Sequence, residues 1–169
     1  AARRLRPVAL AAAAVAAATI ASGGFVAGLD AGHAYNDWPL MAGRVVPEQY
    51  WDPELGYRNL FENTATVQFD HRMLAYATVA ATTAVVAVAR RGAGGGWRQH
   101  SERVRRSVVA LGAAVGGQAA LGISTLVLYV PVPLAACHQA GALVVWSSAL
   151  TLLHAVKQTA PRAGAAAAA

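Results

Sequence analysis

Apolar residues gather along the chain in four blocks, 8–29, 67–89, 107–130 and 134–156. Each is long enough to cross the hydrocarbon core of a membrane, about 30 Å thick, which takes about 20 helical residues. No Lys or Glu falls inside any block; the only charges there are Asp70 and Arg72, flanking His71 near one end of the second. Backbone groups in lipid must be paired within the segment, so each block is predicted to be a helix. Between the blocks lie a long polar loop (30–66), a basic loop (90–106) and the turn Pro131-Val132-Pro133. Short connections between segments of alternating direction predict an all-α, integral membrane four-helix bundle of up-down-up-down topology. Residues 1–7 then form a basic N-terminal segment, 8–156 the transmembrane domain and 157–169 a basic, Ala-rich tail. The apolar stretch of the first block, about 22 residues, exceeds the 7–15 of a secretory signal core, so it is expected to be a retained span.

Composition supports a membrane protein: of 169 residues, 56% are hydrophobic and only 13% charged. The net charge of +6 invites a nucleic-acid reading until its distribution is traced. Arg3, Arg4 and Arg6 precede the first block, Arg90, Arg91, Arg98, Arg103, Arg105 and Arg106 fill the second loop, and Lys157 and Arg162 follow the last block. The long first loop carries Asp30, Asp37, Glu48, Asp52, Glu54 and Glu62 against Arg44 and Arg58. This is the positive-inside pattern, with both termini on the matrix or cytoplasmic side. Nucleic-acid binding would require a basic solvent face with interleaved aromatics, so no nucleic-acid partner is expected. The lone Cys137 allows no internal disulfide, and 92–96 and 165–169 are low-complexity stretches.

In such a bundle the second and fourth helices are diagonal and parallel. His71 follows the start of its block by four residues and His138 follows Pro133 by five. Both imidazoles are therefore expected about one to one and a half turns below the outer surface. A diagonal pair of helices leaves room for a flat ring between two side chains at one height. Gly141, Ala75 and Ala142, just below the two histidines, add space for a wide ligand. Ionisable residues inside a span point to function because their burial is costly, and two histidines at equal depth fit haem ligation better than packing. A zinc site would need more ligands, and Cys137 points away from its neighbour His138.

The other polar residues carry weaker expectations. Arg72 either sits in the headgroup zone or pairs with a haem propionate, and Asp70 either does the same or orients an imidazole N–H. Gln118, polar at mid-depth, either contacts the cofactor or bridges helices. His154 is expected to snorkel at the inner interface, His100 to be solvated in the basic loop, and His33 to lie in the surface loop. The small-residue pairs Gly24/Gly28 and Gly112/Gly116 would let helices approach closely. No Ser/His/Asp triad, phosphate-binding glycine loop or metal-ligand cluster is present, so no catalytic residue is assigned.

Three stretches, GGFVAGLDAGHAYNDWPLM (23–41), RNLFENTATVQFDHRMLA (58–75) and LGISTLVLYVPVPLAACHQAGAL (121–143), closely resemble haem A synthase of the mitochondrial and proteobacterial type. The resemblance implies an oxidoreductase that converts the C8 methyl of haem O to the formyl group of haem A, for cytochrome c oxidase assembly. Members have eight spans in two similar halves, so by this likeness the chain corresponds to the C-terminal half. There the histidines of QFDHR and CHQ, His71 and His138, would be axial ligands to the iron of a b-type haem, with Arg72 and Gln118 as further candidate contacts. The family's substrate half, with its own histidine pair and a glutamate implicated in the oxidation, has no counterpart here, so this chain alone is expected to be inactive. Cys137 stands where the family usually has a small hydroxylated residue.

The partners implied are haem O, a ferredoxin-type electron donor, the N-terminal half of the enzyme and membrane lipid, with a homo-oligomer as a further expected assembly. Likeness to the mitochondrial type points to the inner membrane, with a bacterial plasma membrane as the alternative. Two other readings stay open: a free-standing bis-histidine haem b protein that only transfers electrons, and a structural membrane module without cofactor.

Overall fold

The computed structural model describes residues 2–91 and 96–158, with side chains from residue 4 onward. The remainder of the glycine run and of the C-terminal tail lies outside the described residues. Four long helices, α1 (Ala2–Gly28), α3 (Thr64–Arg91), α4 (Glu102–Val127) and α5 (Val132–Gln158), are joined by a short α2 (Asn59–Glu62) and single turns of 3-10 helix. Among the described residues there is no strand, only an isolated bridge between Met41 and Arg44. All four long helices have the length and hydropathy to cross a membrane.

The helices overrun the apolar blocks, for local reasons. The first begins inside the basic segment, with Pro7 inside it and alanines favouring the rest. The second begins at Thr64 rather than 67 because the Asn63 Oδ1 accepts from the backbone N–H of Ala65 at 2.9 Å and Thr66 at 3.4 Å. The third begins at Glu102 rather than 107: Ser101 caps it by accepting from the Val104 N–H at 3.3 Å, and its charged first turn is helical outside the apolar window. It stops at Val127, before the block ends at 130, because Tyr129 and Val130 take φ of 61° and 54°. That left-handed pair turns the chain into Pro131.

The long helices pack as a ring: α1 lies against α3 and α5, α4 lies against α5 and α3, and α3 faces α5 across the bundle. Thr19 meets Thr78 while Ser22 meets His71, so α1 and α3 run in opposite directions. In α4 and α5, Arg103 pairs with Gln158 and Gln118 with His138, which sets them in opposite directions too.

The contiguous apolar core occupies one end of this bundle. Leu5, Ala9, Ala12 and Ala16 of α1 meet Val85 and Ala89 of α3, Val104, Val108, Leu111 and Val115 of α4, and Val145, Ala149, Leu152 and Val156 of α5. This is the end that bears the Arg-rich loop. The opposite end, which carries both His71 and His138, contributes nothing to that core. Large apolar side chains such as Leu10, Val79, Val109, Leu143 and Leu150 are exposed on the outer faces, where lipid would cover them.

Candidate functional site

His71 lies seven residues into α3 and His138 six residues into α5, about 10 Å and 9 Å along their helices. Each ring crosses a glycine of the helix beside it. A Cβ on Gly23 of α1 would stand 3.1 Å from the His71 Cε1, and one on Gly122 of α4 only 2.7 Å from the His138 Cε1. The imidazoles therefore reach the interior by lying where a side chain would otherwise be.

The rings differ at Nδ1. That of His71 is 2.8 Å from the Ser22 Oγ, whose hydroxyl also lies 2.8 Å from the Thr19 carbonyl. That of His138 is buried with no hydrogen-bond partner. Asp70, read from the sequence either as a headgroup-zone residue or as orienting an imidazole, accepts from the Tyr50 hydroxyl at 3.2 Å. Burial, and then the neighbouring Asp70 charge, hold the Tyr50 phenol above its ordinary range and keep it a donor.

Arg72 is 8% exposed and faces the outer loop. Its Nη1 donates to the carbonyls of Asp37 and Leu40, both at 3.0 Å, and its Nη2 to that of Tyr35 at 3.0 Å and to the Gln68 Oε1 at 3.4 Å. Gln68 in turn donates to the carbonyls of Ala31 at 2.8 Å and Tyr35 at 3.0 Å. The terminal nitrogens expected at a propionate thus tie down the loop beside His71, and only Nε is left buried without a partner. Asn36 extends the stitching by donating to the Leu126 carbonyl at 2.9 Å.

Of the two roles open to Gln118, the structure shows a bridge between helices: its Nε2 donates to the His138 carbonyl at 2.7 Å. Its amide also lies over Gly141, with Oε1 2.1 Å from where a Cβ would be. The space expected at Gly141 is therefore filled by this chain's own side chain. The close helix approaches also fall elsewhere than expected: Gly24, Gly28 and Gly116 have nothing within 4 Å of a built Cβ, and Gly112 meets only Val86 at 3.8 Å.

His33 is exposed in the turn Ala31–His33, and His154 is exposed with the Gln158 Nε2 at 2.9 Å. His100, expected in solvent, is instead 8% exposed just after the Gly96–Gln99 turn, and burial holds its imidazole below the ordinary range. No group of three or more metal-ligating side chains occurs among the described residues. Sequence reasoning missed Ser22, Gly23 and Gly122, whose one signal was the small residues in the helices preceding each histidine.

The arrangement fits a planar iron cofactor held from two sides. It offers two imidazoles seven and six residues into α3 and α5, neither Nε2 engaged by a described side chain, at the bundle end without an apolar core. The family described as "Cytochrome oxidase assembly protein" (COX15-CtaA) matches residues 1–150. The chain belongs to this family. Similar members include "Heme A synthase" of Rhodospirillum centenum, 46% identical over 154 residues, covering 91% of this chain and 40% of that protein. "Heme A synthase COX15" of Mus musculus is 43% identical over 140 residues, covering 83% of this chain and 32% of that protein. The Arabidopsis thaliana protein of the same name is 39% identical over 164 residues, covering 95% and 34%. The chain thus spans 32–40% of the length of these COX15-CtaA relatives. No solved structure shows significant similarity to it.

Proposed function

We propose that the chain is the part of a haem A synthase that holds a b-type haem, with His71 and His138 as the two axial ligands to its iron. The observation that carries this reading is the pair of imidazoles near the starts of α3 and α5, each over a glycine of a neighbouring helix, at the bundle end without an apolar core. Haem bound there would supply one-electron redox chemistry. The protein's part is to orient and to exclude water. Gly23 and Gly122 admit the rings, Gln118 holds the backbone of the α5 ligand, and Arg72 with Gln68 fastens the outer loop over the α3 ligand. The reaction of the whole enzyme is oxidation of the C8 methyl of haem O to the formyl of haem A. Its substrate site belongs to the N-terminal half, and its electrons come from a ferredoxin-type donor.

The bundle is up-down-up-down, which the opposed directions of α1 with α3 and of α4 with α5 support. Its Arg-rich end faces the matrix of the mitochondrial inner membrane, or the cytoplasm if the host is a bacterium. Purified and supplied with haem, the chain should give a low-spin, six-coordinate spectrum yet convert no haem O, and co-expressed N-terminal half should restore conversion. Failure to bind haem would refute the reading, and haem A made by this chain alone would refute the division of labour.

A further inference from the structure

The two candidate ligands sit in matched seats but have unmatched partners, and the difference begins in the sequence. Gly23 under His71 is preceded by Ser22, whereas Gly122 under His138 is preceded by Leu121, which offers no donor or acceptor. The Ser22 Oγ lies 2.8 Å from both the Thr19 carbonyl and the His71 Nδ1. A carbonyl only accepts, and a serine has a single hydroxyl proton. Both contacts are therefore satisfied together only when Ser22 donates to Thr19 and His71 donates from Nδ1–H. That tautomer leaves the Nε2 of His71 with a lone pair and no proton.

The serine is itself held firmly. The Thr19 hydroxyl lies 2.8 Å from the Thr78 hydroxyl and 3.1 Å from the Leu74 carbonyl, tying α1 to α3 one turn from His71. On the other side the contact at 2.7 Å is from Gln118 to the main-chain carbonyl of His138. It fixes the helix and leaves the ring free to choose its tautomer. The His138 Nδ1 is buried with nothing to pair with.

Resting on the ligand assignment above, we infer that Ser22 is a positioning residue that makes the two axial ligands unequal. His71 is the firm ligand, fixed in tautomer and made more basic by its bond to Ser22, and His138 is the ligand that yields to a small exogenous one. A hydrogen bond accepted from the far nitrogen of a ligating imidazole orients the ring and raises its electron donation, and losing such a partner typically costs about 10–100-fold in affinity.

The test uses the full chain loaded with haem, with carbon monoxide as the exogenous ligand. Ser22→Ala, which keeps a good helix former, should shift the midpoint potential upward and speed haem loss about ten-fold or more. Ser22→Thr should restore both, and Thr125→Ala, which removes an α4 hydroxyl that donates to the Leu121 carbonyl, should change neither. Carbon monoxide should displace His138 from the reduced protein. The Fe–CO vibrations of that adduct should then shift in Ser22→Ala, because His71 remains opposite the bound gas. A low-spin Ser22→Ala protein with unchanged potential, or an adduct whose vibrations ignore the substitution, would overturn the inference while leaving the ligand assignment standing. Wild-type chain that binds no haem, or keeps a low-spin spectrum in both His71→Ala and His138→Ala, would instead remove the ligand assignment itself.

Discussion

The side-chain amide of Gln118 donates to the main-chain carbonyl of His138 at 2.7 Å and, in reaching it, lies across Gly141. A methyl at 141 would occupy the place of the amide oxygen. Gly141→Ala should therefore expel Gln118 and destabilise the bundle by about 1–3 kcal/mol, the usual range for overpacking. Gln118→Ala should cost only about 1 kcal/mol, because the carbonyl keeps its helical partner. Combining the two should cost less than the sum, since Gln118→Ala empties the space the methyl needs. Thermal unfolding of the four proteins in detergent checks this, and simple additivity would count against it.

The glycine seats differ in tightness, and the spectrum should report it. With 2.7 Å available at Gly122 against 3.1 Å at Gly23, Gly122→Ala should disturb the low-spin spectrum more than Gly23→Ala. His71→Ala and His138→Ala should each yield five-coordinate, high-spin haem or lose it. His33→Ala and His154→Ala, at exposed positions, should leave the spectrum unchanged.

Loss of Arg72 should release the outer loop. Arg72→Ala removes four hydrogen bonds, three of them to loop carbonyls, of which that of Tyr35 keeps its bond from Gln68. Each bond to a charged group is worth about 1.5–3 kcal/mol, so residues 35–50 should become sensitive to limited proteolysis. Arg72→Lys should not rescue, because an ammonium cannot reproduce the forked geometry. Intact protease resistance in Arg72→Lys would show that charge alone suffices.

Acid should weaken the inner loop through His100. Burial holds this imidazole below its ordinary pKa when folded, so the unfolded chain takes up the proton first as pH falls through about 6.5. The contribution of neutral His100 is therefore fully present above that value and declines below it, levelling off once the folded form also protonates. The melting temperature of wild type should fall faster than that of His100→Gln between about pH 7 and pH 5. Parallel curves would place the acid sensitivity elsewhere.

Sidedness follows from the arginine asymmetry. In a Cys137→Ala background, single cysteines placed in the 30–66 loop should react with an impermeant reagent from the outer face, and those placed in the 90–106 loop only from the matrix or cytoplasmic face. Labelling of the second loop from outside would invert the bundle.

The four helices, and the place of His71 and His138 near the starts of theirs, are legible from the sequence because each depends on position along a single helix. Apolar length, charge at the ends and residue spacing set how deep a side chain lies, whatever its neighbours do. Helix ends were less legible, since the caps at Asn63 and Ser101 lie beyond the apolar window that marks a span. What surrounds the histidines was decided by tertiary structure. Ser22 rather than Asp70 meets the His71 ring because rotation of α3 about its axis is set by packing against α1, not by its own residues. Arg72 turns to the loop because 35–40 folds back and brings carbonyls that no local pattern announces. His100, surrounded in sequence by arginine and polar residues, is buried nonetheless. Depth is a one-dimensional quantity that hydropathy can carry; azimuth and loop return are set by contacts between residues far apart in the chain, and only the assembled bundle supplies those.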